Sequence, residues 1–187
     1  MMFTPDPLEL YSIAMVKANT PHPEYLSTIR ALSGCDTVSS LYSIGKKKAL
    51  DMMRDPAVDP LQKFRDSGST LEDIQEAGEW ALLKLYSAVR CTTLDRLCYI
   101  KQAQIVGKAA ISKSFELASL PLTSGEAKFH SYRAYHTVQQ WMSNELSPLE
   151  WGWRYTDNQL TPVTTDLEAA PDKLLRQVSG GCKMAEG

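Results

Sequence analysis

Gly45 followed by Lys46, Lys47 and Lys48 is the arrangement in this chain with the clearest chemical potential. A helical pattern starts at Gly45 or Lys46 and runs to about residue 54, which places all three cations in a first turn. That is electrostatically the wrong end. A helix N-terminus carries partial positive charge and N–H groups without acceptors, so each cation there costs about 0.3–1 kcal/mol. A docked anion reverses the sign, because a phosphate collects the free N–H groups, the dipole and the lysine charges together. Glycine at the start lets the backbone approach closely. The predicted chemistry is polyphosphate binding, with duplex DNA as the first candidate. The competing reading is a solvated run of lysines with no ligand.

Other side chains offer less. Asp36, in Gly34-Cys-Asp36, is a candidate metal ligand, with a helix or turn cap as its plainer role. Two-metal phosphoryl transfer needs several carboxylates converging on ions about 4 Å apart. The segment before Gly34 holds acids only at Asp6, Glu9 and Glu24, with no D-x-D pair. His130 and His136 are not at the i, i+4 spacing of a helical zinc pair, and His22 sits between prolines. All three read as structural or solvated. Cys35 has no histidine placed locally to activate it as a nucleophile. Trp141, Trp151 and Trp153, with Tyr132 and Tyr135, read either as a base-stacking platform or as core packing between a helix and a ribbon.

Gly34-Cys-Asp36 followed by Ser43-Ile-Gly-Lys-Lys-Lys-Ala49 resembles the loop and helix-hairpin of the flap-endonuclease and XPG-like nucleases. The resemblance implies that Asp36 belongs to a metal site using magnesium or manganese. It also implies that Gly45, Lys46, Lys47 and Lys48 hold a duplex phosphate. Ser43 stands where that pattern has its first glycine, and Thr37 replaces its aromatic residue. Glu76-Ala-Gly-Glu79, Ser119-Leu-Pro-Leu-Thr123, His130, Gln139-Gln-Trp141, Trp151-Gly-Trp153 and Pro162-Val-Thr-Thr-Asp166 are similar to a multi-copy, mobile-element-like group of animal proteins. Longer members of that group look like an XPG-type nuclease core followed by this helical region, some with a cysteine-rich tail of which Cys182 would be a stub. The expectation is a truncated copy that lacks most catalytic acids.

The elements that would position these residues are mainly helical. Asp6 and Pro7 open a loose apolar stripe over residues 7–17. A second helix covers 24–32 and stops at Ser33-Gly34, and a short one is expected around 61–65. Thr70-Leu-Glu-Asp73 and Thr123-Ser-Gly-Glu126 are capping boxes. The first opens a helix whose face is Leu71, Ile74, Gly78, Ala81, Leu82 and Leu85. The second opens a long helix to about Met142. Between them Thr93 starts a helix with Leu94, Leu97, Cys98, Lys101 and Ile105 along one stripe. Asp157-Asn158 can take the positive φ angles of a tight turn, so the flanking Trp151-Gly-Trp-Arg-Tyr155 and Leu160-Thr-Pro-Val163 should form a hairpin whose tryptophans pack on helices. A short helix at 171–178 and a disordered tail at 179–187 complete the expectation. The division expected is 1–68, a helix-hairpin unit, and 69–178, a helical region with the β-hairpin.

Composition bounds the function without choosing it. With 43% hydrophobic and 22% charged residues, the chain falls in the ordinary globular range. A net charge of -2 gives no global attraction to nucleic acid or anionic lipid, so any such attraction must be local. No stretch approaches a membrane span, and the start lacks the features of a secretory signal. Cys35, Cys91, Cys98 and Cys182 form no C-x-x-C pair and read as buried free thiols of a nuclear or cytoplasmic protein. Three functions follow: a DNA-backbone-binding remnant of a nuclease-like protein, a metal-dependent structure-specific nuclease component, or a non-enzymatic protein-interaction domain.

Overall fold

The computed structural model describes residues 20–88, 90–109 and 119–167. The stripe at 7–17, the helix at 171–178, the tail and Cys182 lie outside the described residues. What is described is mainly helical with one small antiparallel hairpin. After a 3-10 turn at Pro23–Tyr25 comes α1 (Leu26–Ser33), a loop, and α2 (Lys46–Met52). Proline at the start of the 3-10 turn explains why α1 begins later than its pattern alone indicates. The segment expected at 61–65 is a 3-10 turn, Asp59–Phe64, with Pro60 as its second residue.

The next helices are α3 (Leu71–Leu85), α4 (Leu94–Ala109) and α5 (Ser124–Trp141). Both capping boxes form as read. Thr70 Oγ1 accepts from the Asp73 N–H at 3.2 Å while the Asp73 carboxylate accepts from the Thr70 N–H at 3.0 Å. Thr123 and Glu126 repeat the exchange at 3.3 and 2.9 Å. Lys63 adds an ion pair at 2.8 Å, and these donors hold the Asp73 carboxyl down at about 2, the Lys63 bond contributing most.

The hairpin pairs β1 (Trp153–Thr156) with β2 (Gln159–Pro162), Thr156 opposite Gln159. Asp157 and Asn158 take φ angles of 50° and 61°, as the turn demands. Arg133 of α5 fastens its foot, donating to the carbonyls of Gly152 and Val163 on the two sides.

One cluster of buried side chains runs from Tyr25 through all five helices to Trp151, just before the hairpin, so residues on both sides of position 68 share a core. Its spine is α3 packed on α5. The crossing is close: a Cβ added at Gly78 would lie 1.9 Å from Ser131 Oγ. Helix α5 also carries an unusual load of buried polar groups, several of them satisfied at a distance. His130 Nε2 donates to Leu32 O at 2.8 Å, Tyr135 Oη to Asp66 O at 2.9 Å, and Gln139 Nε2 to Phe64 O at 2.9 Å. These bonds stitch α5 to the first part of the chain.

Several expectations need correction. Leu71 and Trp141 are 41% and 49% exposed, because each sits at a helix end beyond the reach of the core. Trp151, by contrast, is buried, with its ring centroid 4.3 Å from that of Tyr135. Lys101 is exposed, since the residues of α4 buried in the core, among those described, are Leu94 and Leu97 of its first turns. Cys35, Cys91 and Cys98 are free but only half-buried.

Candidate nucleic-acid interface

The sequence-predicted residues all fall on or beside the segment between α1 and α2. Gly34 takes φ 117°, and a Cβ there would meet the Ser40 Cα at 2.4 Å, so the chain can double back only with glycine. The Cys35 N–H then donates to Val38 O at 2.9 Å, and the Leu41 N–H reaches back to Ser33 O. Helix α5 pins this loop from below. Thr137 and Thr37 join hydroxyls at 2.8 Å, while His130 holds the end of α1.

Helix α2 begins where the sequence indicates. Gly45 is its N-cap, in extended backbone (φ −88°, ψ 167°), and no side chain caps the first turn. Lys46, Lys47 and Lys48 therefore do occupy the first turn. Lys47 and Lys48 are exposed, and neither forms an ion pair or hydrogen bond among the described residues. Nothing lies within 4 Å of a Cβ built on Gly45. The fold itself makes no demand for glycine at that position, and the space outside it is open.

Lys48 stands at the edge of a cleft of about 360 Å³ that also takes in Arg54 and Lys84. The cleft is mixed in charge: Lys84 Nζ pairs with the Asp55 carboxylate at 2.5 Å and Arg54 pairs with Asp51. The hydrogen bond from Lys84, helped by the Ala57 N–H, holds the Asp55 carboxyl below its usual range. Lys84 Nζ also lies 5.6 Å from the centre of the Trp80 ring. Sequence reading missed Trp80, Lys84 and Arg54. The i, i+4 spacing of Trp80 and Lys84 was the available signal for the first two.

Asp36 is exposed at the tip of the loop. Its carboxylate forms no hydrogen bond among the described residues, so it does not act as the turn cap expected of it. No three His, Cys, Asp or Glu side chains converge on a possible metal position among the described residues. One carboxylate does not constitute the donor set that a two-metal site requires. The histidines of α5 serve structure. His130 is buried on Leu32 O, and burial pushes its pKa down to about 4. His136 bonds Leu146 O at 3.2 Å, and burial lowers its pKa too.

No family model, curated protein or solved structure matches the chain. Among the described residues no helix is long and apolar enough to cross a membrane.

Ser43 adopts φ 58°, the left-handed region that glycine occupies without penalty. This is the position where the flap-endonuclease-like pattern has its first glycine. A non-glycine residue there costs about 1–2 kcal/mol, partly offset because glycine gains more freedom in the unfolded chain. Ser43→Gly should therefore stabilise the protein by about 0.5–1 kcal/mol in urea denaturation. Unchanged or lower stability would show that Ser43 is not strained.

Proposed function

We propose that the chain binds the phosphate backbone of duplex DNA through the start of α2, as a nuclease-like, mobile-element-derived protein that need not itself cleave. The observation that carries this reading is the pair of exposed lysines, Lys47 and Lys48, which have no carboxylate partner among the described residues and stand in a first turn that no side chain caps. Other lysines of this chain have found partners: Lys63, Lys84 and Lys128 are each in ion pairs. Cations kept unpaired where they oppose the helix dipole are explained by an anionic ligand. The open space at Gly45 and the glycine-like backbone at Ser43 support the same motif. Arg54 and Lys84 extend the basic edge.

The test is binding of a short labelled duplex, followed by fluorescence anisotropy across a salt series. Each lost phosphate contact removes roughly one unit from the salt slope. Lys46/Lys47/Lys48→Ala should therefore flatten the slope by about two to three units and weaken binding at least about tenfold. Removing cations from a first turn does not destabilise a helix, so lost binding would not report unfolding. A triple variant that binds with the parent's affinity and slope refutes the assignment.

A further inference from the structure

A second face has the opposite chemistry. Between the start of α3, the middle of α5 and the foot of the hairpin lies a groove of about 340 Å³. Its floor is aromatic, formed by Phe129, Tyr132 and Trp153, and its rim carries Leu71 and Leu149, which are 41% and 52% exposed. Single exposed leucines are ordinary. Here two of them, from separate elements, flank one aromatic floor.

Three observations say what would cover it. Glu72 and Glu150 both line the groove, and neither carboxylate has a cationic partner among the described residues. The one cation lining it, Lys128, is committed to Asp166 at 2.6 Å, with its ammonium 5.1 Å from the centre of the Phe129 ring. The groove is thus net acidic, which disfavours nucleic acid or an anionic lipid and favours a cation. Second, Trp153 opens β1 and Val163 follows β2, so the groove runs into a ribbon whose strands pair only with each other among the described residues. An unpaired strand edge accepts an extended chain through its main-chain groups. Third, Trp153, which lines the groove, has an indole N–H that is shielded from solvent and has no acceptor among the described residues, so the groove wall holds an unsatisfied donor.

We infer that this groove docks a short extended peptide of a partner protein, bearing a lysine or arginine beside an apolar residue. The basic side chain meets Glu72 and Glu150, and the apolar one covers Leu71, Leu149 and the aromatic floor. This surface is distinct from the start of α2 and does not depend on DNA binding.

The test uses the full chain and a phage-displayed library of random peptides. Selected peptides should share a lysine or arginine next to a leucine, isoleucine, valine or aromatic residue. The strongest should lose at least tenfold in affinity against Glu72→Gln/Glu150→Gln, and similarly against Leu149→Ser. Both variants change exposed side chains, and their melting curves report whether the fold is kept. Binding should also shift the Trp153 indole signal in the ¹H–¹⁵N spectrum. Enrichment of acidic peptides, no enrichment, or unchanged affinity in both variants overturns the inference. So does concentration-dependent dimerisation that the same substitutions abolish, since the occupant would then be a second copy.

Discussion

Replacing Gly78 with alanine is expected to destabilise the fold by about 2–3 kcal/mol, despite alanine's higher helix propensity of about 1 kcal/mol. The added methyl would sit 1.9 Å from Ser131 Oγ and 2.5 Å from Ser131 Cβ. Turning the serine hydroxyl relieves only the first contact. The second requires α3 and α5 to separate, and those two helices are the spine of the core. Ser131 Oγ is itself buried without a hydrogen-bond partner, so it has nothing to lose by removal. Ser131→Gly takes away both colliding atoms, and the double variant should recover most of the loss. The coupling, read from urea denaturation of the four proteins, should be about 2 kcal/mol, within the range for residues in contact. Additive effects would mean that the helices do not approach as closely as described.

Acid should weaken the protein between pH about 6.5 and 4, and His130 should account for most of that loss. Its imidazole is buried, donates to Leu32 O, and titrates near 4 rather than at the ordinary 6.5. The unfolded chain therefore binds the proton more readily. Stability is complete above pH 6.5, declines as pH falls, and the whole contribution is gone below about 4. A displacement of this size corresponds to about 3 kcal/mol. His136, also lowered by burial, adds to the same window. The paired aspartates Asp55, Asp73 and Asp166 are held below their ordinary value of 3.8, so their losses set in as pH falls through about 3.8, at the bottom of this window, and the comparison with a His130 variant cancels them. His130→Gln keeps an N–H for Leu32 O without a proton to titrate. Its stability should vary much less than the parent's from pH 6.5 to 4, and an unchanged pH dependence would remove His130 as the cause.

How much of this was legible in the sequence depends on the range of the interactions. Thr70 with Asp73 and Thr123 with Glu126 are partners three positions apart, so both boxes were readable and both form. Asp157-Asn158 announced a turn because few residues take positive φ. The bounds of helix α5 were readable, but its buried face was opaque for the opposite reason. Its Arg133, Thr137 and Gln139 are buried, which breaks any apolar stripe, and each has a partner between 19 and 100 positions away. Polar residues satisfied by distant carbonyls look, in a sequence, like a solvated surface. The lysines of α2 were placed correctly because helix starts are local. The cleft beside them was not foreseen, since it depends on α3 bringing Lys84 next to Asp55.

The mounting of the hairpin has a consequence for how this chain can vary. Arg133 grips the carbonyls of Gly152 and Val163, and the Val163 N–H donates to Gly152 O, so the two legs are closed off at the base before the strands begin. Everything from Arg154 to Leu160 is exposed, and Asp157 and Asn158 touch none of the core. Length and composition at that tip are thermodynamically uncoupled from the helices beneath, because added residues there disturb no buried backbone hydrogen bond. The ribbon is a bracket, and its outer end is a natural position for a spliced-in epitope or reporter that leaves both proposed surfaces intact.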